Sequence, residues 1–212
     1  MTVISQRQSH GSSIPLVGTQ RTTDRETLGG GVADTSKLLG RWFMPWQRHV
    51  SDVSLEIDSD TGLLAYDDVT IVVGRQEGKS WLSLPVITHR ALAPTFLWYG
   101  PQTILYIAQT ASETRKRWAD KHLADLKKHG FGDLFTARLR LAEEAVLWNN
   151  GSLYAPSAAT ERTGGTGDTT DLGWVDEGWA HTVSVERSLS PTMLTRQSAQ
   201  FWCSSMVRTS GH

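Results

Sequence analysis

The 212-residue chain contains a single cysteine, Cys203, and has no long uninterrupted run of apolar residues. One cysteine excludes an internal disulfide framework and is typical of a protein that works in a reducing cytoplasm. A membrane-spanning helix needs about 18 consecutive apolar residues, so the chain has no candidate span. Its N-terminus also lacks the apolar core of a signal peptide. The composition therefore predicts a soluble, cytoplasmic protein with no membrane contact.

The chain also lacks an excess of charge of either sign, because its formal net charge is -1 at pH 7. This balance provides no bulk attraction to nucleic acid, although a local basic stripe can still bind it. Such a stripe lies on a helix predicted to follow a capping box at Thr110 and Glu113 and to end near Gly130. Its basic residues are Lys116, Arg117, Lys121, Lys127 and Lys128. The residues predicted to face the core are Ala111, Arg115, Ala119, Leu123 and Leu126. The basic side is either a solvated helix face or a contact to DNA phosphates.

Large apolar residues are scarce in residues 1–37, which are rich in Ser, Thr, Gly and Gln. Such a segment buries too little surface to offset the entropy lost on ordering. Residues 1–37 are therefore predicted to be a flexible, disordered extension, including the three glycines at positions 29–31. The remaining residues, 38–212, are long enough to bury the core of one domain.

A strand-like run followed by a phosphate-binding turn is the feature around which this domain is organised. Residues 69–73 are mostly β-branched, which is typical of a strand buried on both faces of a parallel sheet. Residues 74–80 read Gly-Arg-Gln-Glu-Gly-Lys-Ser and form the predicted loop, with a helix from Trp81. Backbone N–H groups at a helix N-terminus bind anions, and a polyphosphate suits such a site.

In loops of this kind the lysine, here Lys79, reaches the β- and γ-phosphates. The hydroxyl of the next residue, Ser80, binds the Mg²⁺ ion that bridges these phosphates. The usual spacing places a glycine where this chain has Val73, so Gly74 makes the loop one residue shorter. The motif alone is not decisive, and it requires a matching acidic strand end elsewhere in the chain.

Residues 172–177 meet that requirement, because an apolar strand ends there in Asp176 and Glu177. Successive side chains of a strand point to opposite faces, so the two carboxylates are predicted on opposite sides of the strand end. Asp176 is the candidate for the magnesium shell, and Glu177 for the residue that orients or deprotonates an attacking water. Together with residues 74–80, these acids indicate phosphoryl transfer.

Trp46 and Gln47 lie upstream of the loop, where Pro45 is predicted to begin a short helix. One interpretation is a nucleotide-base clamp in which Gln47 reads the adenine edge and an aromatic ring packs on the plane of the base. The other is a hydrophobic anchor for the first helix. The local residues leave both interpretations open.

Two loops are predicted in the second half of the chain. Asn149-Asn150-Gly151 lies between two apolar runs and predicts a β-hairpin, because Asn and Gly accept the positive φ of tight turns. Residues 158–167 consist mostly of small residues and carry Arg162. Functional residues often lie on such loops, although an exposed loop arginine is usually only solvated.

In this order, the motifs resemble the ATPase domain of the large terminase subunit, the DNA-packaging motor of tailed bacteriophages. The resemblance covers residues 38–212. Residues 45–47 look like the adenine-binding motif of that family, whose phosphate loops often read small-Arg-Gln-x-Gly-Lys-Ser/Thr, as residues 74–80 do. Residues 172–177 look like its second Walker motif followed by its catalytic glutamate.

The resemblance implies an α/β fold of the three-layer P-loop NTPase type, in the additional-strand, catalytic-glutamate class. A mostly parallel central sheet would be flanked by helices. It also implies Mg²⁺-dependent ATP hydrolysis that drives double-stranded DNA into a procapsid. The implied partners are further copies of the chain in a ring, a portal protein and a small terminase subunit. The implied location is the cytoplasm of an infected or lysogenic bacterial host.

The resemblance also assigns roles to individual residues. It implies that Glu177, Arg75 and Arg162 are catalytic, the last as a finger that acts on a neighbouring subunit and is worth about a thousandfold in rate. The implied nucleotide-binding residues are Gly74, Arg75, Gln76, Glu77, Gly78, Lys79 and Ser80 of the loop, with Trp46 and Gln47. The implied metal ligands are Ser80 and Asp176.

The chain departs from the family pattern in two respects. The coupling motif, typically Ser-Thr-Ala-Gly, falls on residues 205–208, where only Ser205 matches, so hydrolysis is expected to be poorly coupled to movement. The nuclease domain that normally follows is absent, so nuclease activity is not expected and the chain is interpreted as a truncated motor domain or a prophage remnant. The alternatives are a helicase-like, nucleic-acid-dependent ATPase and a nucleotide-binding module without hydrolysis.

Overall fold

A computed structural model of the chain describes residues 15, 17–93, 98, 100–141, 143–157, 169–178 and 189–206. The strands are β1 (Asp68–Val73), β2 (Thr103–Ile107), β3 (Phe135–Arg138), β4 (Ala145–Trp148), β5 (Leu153–Pro156), β6 (Leu172–Asp176) and β7 (Gln200–Met206). The α-helices are α1 (Gly29–Leu38), α2 (Pro45–Ser54), α3 (Lys79–Leu92), α4 (Ala111–Arg117) and α5 (Ala124–Lys128). None of these helices is long and apolar enough to cross a bilayer.

The seven strands form one sheet in the order β1-β7-β6-β2-β5-β4-β3. In this order the four neighbouring pairs β1-β7, β7-β6, β6-β2 and β2-β5 are parallel. The two remaining pairs, β5-β4 and β4-β3, are antiparallel. The prediction of an α/β fold with a mostly parallel sheet is therefore confirmed. Because β1, β7, β6 and β2 are parallel, their carboxyl ends meet at one edge of the sheet, which is where ligands bind in such folds.

Apolar side chains lie on both faces of the sheet. On the face covered by the helices, Trp174 and Trp202 stack with their ring centroids 5.1 Å apart, in one cluster with Leu82 of α3. On the other face a smaller cluster contains Val175 and Leu189, the first residue of a helical segment at 189–193. Successive side chains of a strand point to opposite faces, so neighbouring residues such as Trp174 and Val175 belong to different clusters.

Strand β1 differs from its prediction, because it lies at the edge of the sheet and pairs with β7 alone among the described strands. It alternates between buried and exposed residues, and the side chain of Val72 is 56% exposed. The prediction that residues 69–73 are buried on both faces is wrong. A run of β-branched residues suits a central and an edge strand equally, so only the strand order distinguishes the two cases.

The predicted hairpin is confirmed, since β4 and β5 pair antiparallel around a turn in which Gly151 has a φ of +89°. The predicted start of α4 is confirmed in part: Thr110 Oγ1 accepts a hydrogen bond of 3.1 Å from the Glu113 N–H, as a capping box requires, whereas the Glu113 carboxylate forms an ion pair with Arg117. The helix that follows is not uniform, however. A π-helical segment, Trp118–Leu123, joins α4 to α5.

The π-helical segment changes which residues face the core. Ala111 is exposed and Arg115 only half-buried, contrary to their predicted core positions. Leu123 and Leu126 are buried as predicted, and Ala119 packs against the core. Thr114, Trp118 and His122 are also buried. A π-turn accommodates an extra residue and rotates the helix face, which a regular 3.6-residue period does not anticipate.

Helix α1 corrects the prediction of a disordered segment up to residue 37. Residues 29–38 form a helix whose Val32 is fully buried. Its glycines permit close packing: a Cβ on Gly29 would lie 2.6 Å from the backbone of Asp52 in α2, and one on Gly31 would lie 2.5 Å from the His89 ring. The glycine run therefore serves helix contacts, which composition alone does not distinguish from a flexible linker.

Gly29→Ala is expected to lower the free energy of unfolding by about 2 kcal/mol, because the added methyl group overlaps the backbone of Asp52. Gly30→Ala is the matched control, since its Cβ would meet only Arg48 Nη2 at 3.8 Å. That substitution is expected to be neutral or stabilising by about 0.5 kcal/mol. Urea unfolding of both variants measures the difference, and equal stability would contradict the proposed close contact of α1 with α2.

Candidate functional site

The loop between β1 and α3 has the backbone shape that an anion-binding turn requires. Gln76 and Gly78 have φ values of +63° and +78°, and Gly78 caps the N-terminus of α3. The loop residues 74–77 are largely exposed. The first turn of α3 therefore presents its free N–H groups and its positive dipole end beside an open loop.

Lys79, the first residue of α3, brings both predicted acids together. Its Nζ lies 3.2 Å from Asp176 Oδ1 and 3.1 Å from Glu177 Oε1, and its side chain is only 7% exposed. The Nζ atom nevertheless makes no regular hydrogen bond with any described residue. A buried ammonium group with unused donors is a suitable partner for a phosphate oxygen.

The two carboxylates do not lie on opposite sides of the strand end, which corrects the prediction made from the strand period. Strand β6 ends at Asp176, and Glu177 has a φ of +62°. The left-handed backbone at Glu177 breaks the alternation of the strand and turns its side chain towards Lys79. The Glu177 N–H donates a hydrogen bond of 3.1 Å to Asp176 Oδ1, which stabilises this turn.

Asp176 is almost completely buried and is surrounded by donors. Ser204 Oγ donates to its Oδ1 at 2.9 Å, Tyr106 Oη donates to its Oδ2 at 3.3 Å, and Arg117 forms an ion pair with Oδ2. Burial alone would raise the pKa of Asp176, but the charges of Lys79 and Arg117 and the Ser204 hydrogen bond hold it below its usual value. Asp176 is therefore ionised at neutral pH, as a metal ligand must be.

The side chains of Trp46 and Gln47 donate hydrogen bonds to backbone carbonyls of the loop. Trp46 Nε1 donates to the Glu77 carbonyl at 3.0 Å, and Gln47 Nε2 donates to the Gly78 carbonyl at 2.8 Å. Gln47 Oε1 also accepts from the Met44 N–H at 2.8 Å, and the residue is 2% exposed. In this arrangement Gln47 holds the loop and the start of α2, and its reading of an adenine edge stays a prediction.

Gln47→Ala is expected to lower the free energy of unfolding by about 1–3 kcal/mol, because it leaves the Gly78 carbonyl without its donor. We expect a several-fold loss of nucleotide affinity in the same variant, since the loop would lose its support. Chemical unfolding and a nucleotide-binding titration measure the two effects. Arg48→Ala, an exposed change on the same helix, is the control, and equal behaviour of the two variants would contradict the role of Gln47.

The remaining predicted residues lie in different surroundings. Arg75 is on the open loop, and Ser80 is exposed in the first turn of α3. Arg162 and the last two residues of the predicted coupling motif, at positions 207 and 208, lie outside the described residues. Ser205, its one matching residue, is half-buried, while its neighbour Ser204 is the residue that contacts Asp176.

Four residues of the site were not among the predicted site residues: Tyr106, Arg117, His122 and Ser204. His122 is buried in the π-helical segment, where its ring contacts Tyr106 edge to face and hydrogen-bonds with the Tyr154 hydroxyl. Burial lowers the pKa of His122 to about 4, so its imidazole is neutral. For Tyr106 and Ser204 the sequence does offer a signal, because each is a polar residue inside a mostly apolar strand.

A cleft of about 280 Å³ opens beside Ser80, between α3 and the helix that carries Arg117. Arg41, Trp81 and Lys121 also line it, and the Arg41 guanidinium lies 4.3 Å from the Trp81 ring centroid. The loop N–H groups and Lys79 fit a polyphosphate, and Ser80 and Asp176 fit a magnesium ion bound through one carboxylate. Magnesium in such sites keeps several waters and substrate phosphates as its other ligands.

Comparisons with known proteins find no matching family model and no matching curated protein. Solved structures do match. The large terminase of bacteriophage HK97 matches with a TM-score of 0.67 and 12% identity, over 84% of this chain and 38% of that one. The large terminase ATPase domain of Thermus phage P74-26 matches with a TM-score of 0.56 and 15% identity, over 82% of this chain and 69% of that domain.

The large terminase of another thermophilic bacteriophage matches with a TM-score of 0.54 and 13% identity, over 85% of this chain and 39% of that one. The chain thus spans less than half the length of this protein and of the HK97 protein. At these identities the likeness concerns the fold. The seven-stranded, mostly parallel sheet with its flanking helices is the P-loop NTPase fold of the phage large terminase ATPase domains.

Proposed function

We propose that this chain is a magnesium-dependent ATPase and that it acts as the motor domain of a phage DNA-packaging terminase. One observation carries the proposal: Lys79, at the start of the helix after the loop, lies within 3.2 Å of both Asp176 and Glu177. A phosphate-binding lysine and two strand-end acids at one point form the set of charges that phosphoryl transfer requires.

Each residue has a distinct role in this proposal. The N–H groups of residues 74–80 and the Lys79 ammonium bind the β- and γ-phosphates. Ser80 and Asp176 hold the magnesium ion, which neutralises phosphate charge when bound. Glu177 orients the attacking water and accepts its proton.

Two further solved structures support nucleotide binding. They are of the same thermophilic bacteriophage terminase that matches over 85% of this chain, and they are described as complexes with ADP and with ATP-γ-S. They match this chain with TM-scores of 0.50 and 0.52. A nucleotide is therefore the ligand that we propose for the loop at residues 74–80.

The two arginines of the catalytic prediction remain part of the proposal. Arg75 lies on the open loop and adds positive charge beside the phosphates. Arg162 is proposed as the finger that reaches the site of a neighbouring copy. Double-stranded DNA, a ring of copies, a portal protein and a small terminase subunit are the proposed partners in the bacterial cytoplasm.

Phosphate release from ATP by the purified chain tests the proposal. Release is expected to require Mg²⁺, to be abolished by EDTA, and to rise when double-stranded DNA is added. A rise with single-stranded nucleic acid alone would favour a helicase-like ATPase instead. Absence of both nucleotide binding and phosphate release at millimolar ATP would exclude an ATPase.

A nucleotide-binding module without hydrolysis is the second candidate function. The ion pair between Arg117 and Asp176 favours it, because the arginine contacts the carboxylate that magnesium needs. ATP binding without phosphate release, at high protein concentration and with DNA present, would support this candidate over the motor.

A further inference from the structure

Four groups donate hydrogen bonds to the Asp176 carboxylate, and the Lys79 ammonium adds an ion pair. Its Oδ1 faces the Ser204 hydroxyl at 2.9 Å, the Glu177 N–H at 3.1 Å and the Lys79 Nζ at 3.2 Å. Its Oδ2 accepts from the Tyr106 hydroxyl and forms the ion pair with Arg117. A carboxylate offers about four lone-pair sites. A metal ion therefore binds Asp176 only if one of these donors leaves.

Arg117 is the donor best able to leave. The hydroxyl and ammonium donors belong to residues that are nearly or fully buried: Tyr106, Ser204 and Lys79. The Arg117 side chain is 19% exposed and borders the cleft beside Ser80. It also keeps a second partner, because its Nη2 forms an ion pair with Glu113 Oε1, one helical turn earlier.

Exchange of Arg117 for a metal ion is electrostatically balanced. A buried carboxylate without a partner is costly, so Asp176 needs a cation beside it. Arg117 supplies the cation beside Oδ2 in the present arrangement, as Lys79 does beside Oδ1, and the ion pair with Glu113 retains the guanidinium when it moves away. Both positions of the arginine therefore leave every charge paired.

We propose that Arg117 is a latch on the metal site, competing with magnesium for Asp176 Oδ2 and shifting towards Glu113 when magnesium and nucleotide bind. This inference rests on the proposed nucleotide-binding function and adds a gating residue to it. The latch keeps Asp176 paired before loading. It also raises the magnesium concentration that loading requires.

Titration of MgCl₂ into the chain with a fluorescent ATP analogue, followed by anisotropy, tests the latch without any measurement of turnover. Arg117→Gln is expected to lower the half-saturating Mg²⁺ concentration about tenfold, because the competing cation is gone. Arg115→Gln is the matched control: Arg115 is on the same helix but pairs with Glu144, so its value should equal that of the wild type. An unchanged or higher Mg²⁺ requirement in Arg117→Gln would overturn the proposal.

Glu113→Gln provides a test with the opposite sign, and it covers the case in which Arg117→Gln does not fold. Glu113 is one-third exposed, so its substitution should leave the fold intact. Without its second anchor Arg117 should hold Asp176 more firmly, and the half-saturating Mg²⁺ concentration is expected to rise several-fold. A fall or no change would contradict the latch.

The two proposals fail in distinguishable ways. If the wild-type chain does not bind the ATP analogue either with MgCl₂ or with EDTA, the proposed nucleotide function is wrong. If the wild-type chain binds with Mg²⁺ and the variants at positions 113 and 117 leave its Mg²⁺ requirement unchanged, the latch alone is wrong.

Discussion

Lys79→Ala is expected to weaken binding of Mg·ATP by roughly a hundredfold, because truncating one member of a buried charge pair costs about 2–5 kcal/mol. The loss has two parts. The phosphates lose their ammonium partner, and they then face Asp176 and Glu177, the two carboxylates that Lys79 contacts. Like charges at such short range in a buried site repel strongly. The dissociation constant of a fluorescent ATP analogue measures the effect.

Two comparisons make the Lys79 result interpretable. Lys121→Ala removes an exposed lysine from the same cleft and should leave the affinity within about threefold, as surface charge pairs contribute little. Lys79→Met keeps the aliphatic stem and should bind as weakly as the alanine variant while packing better in the buried site. Thermal unfolding checks that each variant is folded. An affinity close to that of the wild type in folded Lys79→Ala would remove the basis for the proposed function.

Glu177→Gln is expected to lower the rate of ATP hydrolysis by about a hundredfold to ten-thousandfold, the range that a general base contributes. An amide has nearly the same shape as the carboxylate but does not accept a proton at neutral pH. The left-handed backbone at this residue, with its φ of +62°, is retained, so the loop should keep its conformation. Nucleotide affinity is expected to change by no more than a few-fold.

Phosphate release and nucleotide binding, measured on the same Glu177→Gln preparation, separate the catalytic role from binding. Asp120→Asn is the control, since Asp120 is an acid that lines the same cleft and should retain the wild-type rate when substituted. If Glu177→Gln turned over ATP at the wild-type rate, another residue would have to act as the base. If it lost binding as well, Glu177 would be structural.

Most of the local structure was predictable because its causes lie within a few residues of sequence. The N-cap hydrogen bond of Thr110 and the hairpin turn at Gly151 are formed as predicted. A loop at residues 74–80 followed by a helix was also predicted, and the helix begins at Lys79, two residues before the predicted start at Trp81. Short-range signals of this kind determine backbone conformation directly.

The errors arose where contacts distant in sequence decide the outcome. Gly29 and Gly31 looked like parts of a linker, yet they lie in α1 against α2 and α3. Val72 looked like a core residue, yet β1 is an edge strand. In both cases the local composition suits two environments, and the packing of distant elements selects one of them.

The contact of Arg117 with Asp176 is an example of a long-range contact that the sequence pattern did not predict. The sequence context of Arg117 indicated one basic residue among several on a helix face, which is usually solvated. In the structure it contacts Asp176, 59 positions further along the chain. The parallel order of β2 and β6 places the end of α4 beside the end of β6, and no periodicity in either segment encodes that neighbourhood.

By itself, the sequence determined a strand, a glycine loop and a lysine suited to phosphate, together with two acids at another strand end. The tertiary structure alone decided how these parts meet. The left-handed turn at Glu177 brings both carboxylates to Lys79, and the strand order adds Ser204, Tyr106 and Arg117 around Asp176. The physical reason is range: backbone preferences act over a few residues, whereas the charge balance of a buried carboxylate depends on every segment that folding brings to it.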